Sequence, residues 1–319
     1  MTRHHHGKVY MAKFEYIVTE EDKGIPVKGL IRQRFTFSSR MRTKLKYQNL
    51  VRLNGEEVAG WITPNVGDII TIDLPEEKSD FPPEDIPIYT VYEDDDILIL
   101  NKQPGVTVHP TKGHPAHTLA NGLMKYMEDT KQSFKIRFVN RLDMDTTGLL
   151  IVAKNAHAQE EITKQMKANT TEKRYKAIVN GIVAEDQFTI NLPIGRPDPE
   201  NVVRAVMMEG GYDSITHVKV LERYPNQLHP DGGYTMVELL LETGRTHQIR
   251  VHMSHIGHPL VGDHLYGGNN PDLLDRQALH SYQLTINHPI TKKRMTLDAS
   301  LPDDMEEVIR KISKQEVTE

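Results

Sequence analysis

The feature that most limits the fold of this chain is a break in its chemistry between Pro75 and Pro87. Prolines recur at 75, 82, 83 and 87, and Glu76, Glu77, Asp80, Glu84 and Asp85 are answered only by Lys78. Proline removes backbone donors and like charges repel, so the stretch reads as a connection between elements. It predicts two folded units in 319 residues, which ordinary domain sizes also suggest. The expected boundaries are an extension over 1–11, a small basic unit over 12–74, a linker over 75–88 and a large unit over 89–319. The extension carries His4, His5 and His6 ahead of Met11 and is set aside from the fold.

Charge follows the same division. The net charge of -5 is the sum of two opposed segments. Between Val27 and Asn54 lie Lys28, Arg32, Arg34, Arg40, Arg42, Lys44, Lys46 and Arg52 with no acid, whereas Asp73 to Asp96 is almost wholly acidic. A polyanion responds to the local sign, since phosphate neutralisation is a short-range matter. Leu30, Ile31 and Phe35 predict a short helix after Pro26, and Ser38 or Ser39 would cap a second helix carrying Arg40, Arg42 and Lys44. Leu50–Leu53 then meets the turn dipeptide Asn54-Gly55, and Asp68–Ile72 supplies another strand. The order expected is two basic helices followed by a small sheet. Tyr47 and Trp61 are either base-stacking or core aromatics.

In the large unit, strands are expected at Ile97–Leu100, Leu149–Ala153, Tyr175–Val179, Thr216–Leu221, Thr235–Leu241 and Ala278–Ile286. Helices are expected at Ala156–Lys167 and Arg245–Ile256, the second ending at Gly257. Without a regular βαβ repeat this is an α+β pattern with a mixed or largely antiparallel sheet. The chain has no cysteine, which removes disulfides and thiolate chemistry. No apolar run approaches the roughly 20 residues of a membrane span. A cytoplasmic location fits.

The segment Asn140-Arg141-Leu142-Asp143-Met144-Asp145-Thr146-Thr147-Gly148 runs into an apolar strand. A carboxylate beside an arginine can be a nucleophile kept ionised by its neighbour; the same letters also make a plain turn. A calcium loop would need an acid at its twelfth position, where Lys154 stands. A Mg²⁺-dependent phosphotransferase of the haloacid-dehalogenase type would use Asp143 and Asp145, but Asn140 and Arg141 interrupt the strand such a site normally follows. His252, His255 and His258 recur every three residues, yet His258 falls beyond Gly257 and no further ligands are arranged as on a zinc helix. Packing or phosphate contacts are expected of them, and no metal.

The segment from Arg141 to Gly148 resembles the signature of RluA-type pseudouridine synthases. Asn101–Pro110 resembles that family's opening motif, and Lys173-Arg174-Tyr175-Lys176-Ala177 its tyrosine segment. Gly244–His252 resembles its basic motif, which Gly257–Asp263 continues. The likeness covers about Tyr92 to Pro289, with Asn140 where His is common and Thr147 where Ser is common. The small unit more loosely resembles an αL-type RNA-binding domain named after a ribosomal protein. The resemblance implies an isomerase that turns uridine into pseudouridine in structured RNA, with no cofactor, metal, membrane or obligate protein partner. Ribosomal RNA is the expected substrate, and transfer RNA stays open. Asp143 would be the nucleophile, Arg250 its pairing cation, and Tyr175 would lie against the uracil and could move a proton. Arg141 would fill the space left by a flipped base, while Arg245 and His247 would support the loop or the RNA backbone. A phosphohydrolase using Asp143 and Asp145, and an RNA binder with an inert large unit, remain as rivals.

Overall fold

The computed structural model describes residues 13–35, 37, 39–73 and 78–314. Expectations that fall on 1–11, on Ser38, on residues 74–77 at the head of the acidic stretch and on the Arg40 side chain lie outside the described residues.

The small unit runs β1 (Lys13–Ile17), α1 (Val27–Arg34), α2 (Ser39–Tyr47), β2 (Val51–Leu53), β3 (Glu56–Glu57) and β4 (Ile69–Asp73). Its sheet has the order β1-β4-β2-β3. This corrects the expected order, because a strand precedes the two helices. β1 lies antiparallel to β4, with Phe14 opposite Ile72 and Tyr16 opposite Ile70. Five residues of alternation are too short a signal until that distant partner is known. Asn54 and Gly55 take φ of 51° and 91°, the positive values that the turn between β2 and β3 requires. Val27, Leu30 and Ile31 point from α1 into a core shared with Phe14, Ile70 and Ile72. Tyr47 and Trp61 are exposed at 79% and 75%, so neither belongs to that core.

The acidic stretch does not hang free. From Ser79 onward it lies along the large unit, where Ser79 Oγ accepts from the Ile136 amide and the Pro82 carbonyl accepts from Asn121. Phe81 and Ile88 pack on the main core. Proline removes donors but leaves carbonyls, and here those carbonyls find partners. The two units also touch directly: the His157 ring meets Phe14 and Phe37 edge-on, with centroids 5.2 and 5.4 Å away.

The large unit comprises β5 (Thr90–Glu93), β6 (Ile97–Lys102), α3 (Leu119–Asp129), β7 (Arg137–Phe138), β8 (Thr147–Ala153), α4 (Ala156–Lys167), β9 (Glu172–Asn180) and β10 (Gln187–Asn191). It continues with β11 (Ile194–Gly195), β12 (Ala205–Val206), β13 (Ile215–Pro225), β14 (Gly233–Leu241), α5 (Gln248–His255), β15 (Leu279–Asn287), β16 (Arg294–Asp298) and α6 (Asp303–Ser313). The main sheet has the order β10-β13-β14-β9-β15-β8-β6-β5, with β7 on β8 and β16 on β15. One face packs Leu98, Leu100, Leu150, Val152, Ala177 and Leu239 against α3 and α5; the other packs Ile97, Ile99, Leu149 and Ile151 against α4. No helix among the described residues is long and apolar enough to cross a membrane.

All pairings in this sheet are antiparallel except β15 with β8, where His280 lies opposite Thr147 and Ser281 opposite Gly148. Ser281 is also opposite Tyr175 on β9. Tyr175, Ser281 and Gly148 therefore form one row across three strands, at the point where the Asp143 loop enters β8. Gly148 has φ of 112°, and a Cβ there would stand 2.1 Å from the Ser281 carbonyl oxygen. Only glycine lets the loop reach the sheet so closely.

Candidate active site

The Asp143 loop is a turn, closed by the Thr146 amide donating to the Asp143 carbonyl at 3.1 Å. Its other backbone groups are taken by side chains from elsewhere. Lys102, at 1% exposure, donates to the carbonyls of Gln103, Met144 and Thr146 at 2.9, 2.7 and 2.9 Å. Burial pushes the Lys102 ammonium down to about 7, against the pull of Asp145 and Asp143. Three carbonyl acceptors use all three of its protons, which favours the charged form. Arg276 donates to the Asp145 carbonyl at 2.9 Å while gripping Asp304 of α6 with its other two nitrogens. The Gly105 amide donates to the Met144 carbonyl at 3.0 Å, so the Asn101–Pro110 motif lies against the Asp143 motif. Asn140 bridges β8 by accepting from the Ile151 amide and donating to the Leu149 carbonyl.

On this frame the Asp143 carboxylate is about one-third exposed and faces Arg250 of α5. Arg250 donates through Nη1 to Asp143 Oδ2 at 3.1 Å, and through Nε and Nη2 to the two oxygens of Asp263 at 2.8 Å each. Burial works against the guanidinium charge, but Asp263 and then Asp143 outweigh it and raise its pKa. A planar fork satisfied on one edge has its remaining nitrogen aimed in a fixed direction. That direction is Asp143.

Tyr175 is buried at 7% exposure, and burial, with the Asp143 charge, lifts its phenol to about 12. Ionising it at neutral pH would cost on the order of 7 kcal/mol. Tyr175 therefore stands as a protonated ring and hydroxyl, and not as a ready base. An open cleft is lined by Arg141, Asp143, Tyr175, Arg245, His247 and Arg250 among others. The structure brings together all six large-unit residues singled out in the sequence.

Their settings differ. Arg141 is exposed, with no hydrogen bond or ion pair to the described residues and its charge near His109. Arg245 donates to the Asp213 carbonyl at 3.1 Å and lies over the Tyr212 ring at 5.4 Å. His247 is mostly covered, its Nδ1 2.7 Å from the Tyr266 hydroxyl and its Nε2 3.8 Å from Asp143 Oδ2. Neither lies in the helix expected over Arg245–Ile256, because α5 starts at Gln248. His247 has φ of 58°, and Gln248 Oε1 accepts from the Arg245 amide and the Thr243 hydroxyl, which closes the turn before the helix.

Arg40, Arg42 and Lys44 are remote from this cleft in sequence and sit on α2. Arg42 is tied to the Phe37 carbonyl and to Ser39 Oγ at the head of that helix, and Lys44 is half-buried. His252, His255 and His258 do not converge. His252 Nδ1 meets Thr216 and Nε2 the Leu192 carbonyl, while His258 Nδ1 meets the Asn180 carbonyl. Among the described residues, the group of three ligands close enough to share an ion is Asp94, Asp96 and His288. Asp94 already accepts from the Asp96 and Ile97 amides and the Tyr92 hydroxyl. Sequence reasoning missed Lys102, Asp263, Tyr266 and Arg276. Lys102 and Asp263 fall inside recognised motifs, but nothing in one dimension says what they hold.

Residues 96–255 match the RNA pseudouridylate synthase family. An "uncharacterized RNA pseudouridine synthase YjbO" of Bacillus subtilis is 38% identical over 276 residues, covering 86% of this chain and 94% of its own length. A "ribosomal large subunit pseudouridine synthase D" of Neisseria meningitidis is 40% identical over 248 residues, covering 74% of this chain and 64% of its own. Among solved structures, human RNA pseudouridylate synthase domain containing 1 is 27% identical with a TM-score of 0.54, covering 73% of this chain and 97% of that one.

Proposed function

Since the chain belongs to the RNA pseudouridylate synthase family, we propose that it isomerises uridine to pseudouridine in ribosomal RNA with Asp143 as nucleophile. The reaction breaks the N1–C1′ bond, turns the base, and joins C5 to C1′. N1 gains a proton and C5 loses one, so no oxidant, reductant or hydrolytic water is consumed. The carboxylate starts each turnover ionised and must stay so in a partly covered site. The observation that carries this reading is the Arg250 Nη1 contact to Asp143 Oδ2.

The other roles follow from position. Tyr175 forms the wall against which the uracil lies, as a protonated phenol able to donate. A uridine in a helix hides C1′ and C5, so the target is flipped or already unpaired, at a few kcal/mol if stacked. Arg141, exposed beside Asp143 in the sequence, takes the vacated place. Arg245 meets the RNA backbone at the rim, and Arg40, Arg42 and Lys44 neutralise phosphates further along. The exposed Tyr47 and Trp61 suit stacking on unpaired bases. Ribosomal RNA is favoured by the substrate in the name of the Neisseria relative. The enzyme acts in the cytoplasm, on RNA alone, without metal, cofactor or partner protein.

Tritium release from RNA labelled at uridine C5 tests the reading, because the new carbon–carbon bond must displace that hydrogen. The wild type releases tritium from ribosomal RNA in EDTA, and Asp143→Ala binds the RNA without release. Release only from transfer RNA would move the substrate. No release from either RNA, together with a phosphatase activity that EDTA abolishes, would favour the Asp143–Asp145 phosphohydrolase, and neither activity would favour an inert binder.

A further inference from the structure

The setting of His247 is unlike that of a residue reserved for RNA phosphates. We propose that His247 is a positioning residue for Asp143, its ring held in one orientation and one tautomer by the Tyr266 hydroxyl. The proposal rests on the isomerase reading and adds to it which carboxylate oxygen is held and by what.

The hydrogen-bond order favours one tautomer. The Arg204 amide donates to the Tyr266 oxygen at 2.9 Å, and the hydroxyl keeps its own proton to give. The atom placed to receive it is His247 Nδ1, at 2.7 Å. An imidazole that accepts at Nδ1 carries its proton on Nε2 when neutral. Nε2 is the nitrogen that faces Asp143 Oδ2, at 3.8 Å. That distance is long for a hydrogen bond and suits a donor that closes up when the nucleotide fills the cleft.

Tyr266 also buttresses the other group on Asp143. Its ring packs edge-on to His247 at 5.5 Å, and the Arg250 guanidinium lies over it at 5.0 Å. Arg250 and His247 both address Oδ2, which leaves Oδ1 as the oxygen that meets the nucleotide. The left-handed backbone at His247 is unfavourable for a residue that is not glycine. The Gln248 contacts to Thr243 and Arg245 hold it there.

The charged and titratable groups facing the ring are Asp143, Arg250, Arg204, Asp263 and Tyr266. Burial lowers the His247 pKa, Asp143 and Asp263 oppose this, and Arg250 and Arg204 reinforce it. A proton donated into Nδ1 favours the neutral ring further. Removing it lets the ring protonate at higher pH and draw Asp143 into a closed ion pair.

Two measurements test this, one of them independent of turnover. In protein with ¹⁵N-labelled histidine, the His247 shifts should report the Nε2–H form in the wild type and a mixture or the Nδ1–H form in Tyr266→Phe. Wild-type shifts showing Nδ1–H would overturn the proposal whether or not the protein isomerises uridine. Absence of tritium release by the wild type would instead sink the isomerase reading and leave the tautomer standing. In turnover on saturating RNA, His247→Ala should lose roughly 10- to 100-fold in kcat with RNA affinity kept within about twofold. His247→Gln, which retains an N–H donor, should recover part of the loss. Tyr266→Phe should move the acid limb of the kcat profile to higher pH. Weakened RNA binding with unchanged kcat in His247→Ala would make the residue a phosphate contact, and an unmoved pH profile in Tyr266→Phe would remove the hydroxyl from the device.

Discussion

Arg250 and Asp263 meet through two parallel hydrogen bonds of 2.8 Å, and Asp263 is buried at 1% exposure. One edge of the guanidinium is thus fixed before any RNA arrives, and Nη1 can point only at Asp143. Asp263→Asn keeps the shape but removes the charge that compensates Arg250. Breaking a buried pair on one side costs about 3–5 kcal/mol. Urea unfolding should register a loss of that order, and tritium release at saturating RNA should fall at least about tenfold. Full activity with normal stability would show that Asp143 alone orients the arginine.

Lys102 supports the loop from beneath. Two of its three carbonyl contacts, Met144 and Thr146, follow Asp143 in the turn, so the ammonium holds the turn itself. Lys102→Met fills similar space and leaves the Gln103, Met144 and Thr146 carbonyls without that donor. Unsatisfied buried carbonyls cost on the order of 1–3 kcal/mol each. The expected result is a stability loss of at least about 2 kcal/mol and a fall in kcat, with RNA affinity unchanged. A variant that loses RNA affinity but keeps kcat would show that the loop holds its shape without Lys102.

Much of this was legible in the sequence, for identifiable reasons. Asp143, Tyr175 and Arg250 stand in short segments whose residue order is itself the signal, and β6 and β8 stood out as apolar runs bounded by polar residues. Partners remote in the chain were silent: Asp263 grips Arg250 from 13 positions away, and Arg276 reaches the loop from 131. β1 escaped because its pairing with β4 spans the whole small unit. The packed course of residues 79–88 escaped because composition reports repulsion between charges and not the carbonyls that Asn121 can find. The helix expected from Arg245 started late because the Gln248 side chain closes a turn there, and periodicity does not see caps.

His157 makes the junction between the units sensitive to acid. It is buried against Phe14 and Phe37, and its Nδ1 has no hydrogen-bond partner. Burial lowers its pKa to about 4; Glu161 and Glu160 oppose this, and Lys292 and Lys164 reinforce it. The unfolded chain binds a proton near pH 6.5 that the folded protein refuses until about 4. Stability is therefore lost as the pH falls from about 6.5 to about 4, with no contribution from this group above that window. At pH 5 the loss is about 2 kcal/mol. His157→Leu should remove that share of the difference between urea midpoints at pH 7 and pH 5, as read by circular dichroism. An unchanged difference would mean that the ring reaches water or a carboxylate when it protonates.

The basic helix α2 separates affinity from chemistry. Replacing Arg40, Arg42 and Lys44 together with glutamine removes charge far along the chain from Asp143 and leaves the cleft as it was. Each phosphate that is no longer neutralised should flatten the dependence of log K on log salt by about 0.7–0.9. Binding should weaken most at low salt, while tritium release at saturating RNA should stay within about twofold. Arg42 carries a second burden, because it also holds the Phe37 carbonyl and Ser39 Oγ at the head of α2. Arg42→Gln alone should therefore lower the melting temperature. A salt slope identical to the wild type in the triple variant would mean that RNA passes this helix by, and that the charges of the small unit act elsewhere.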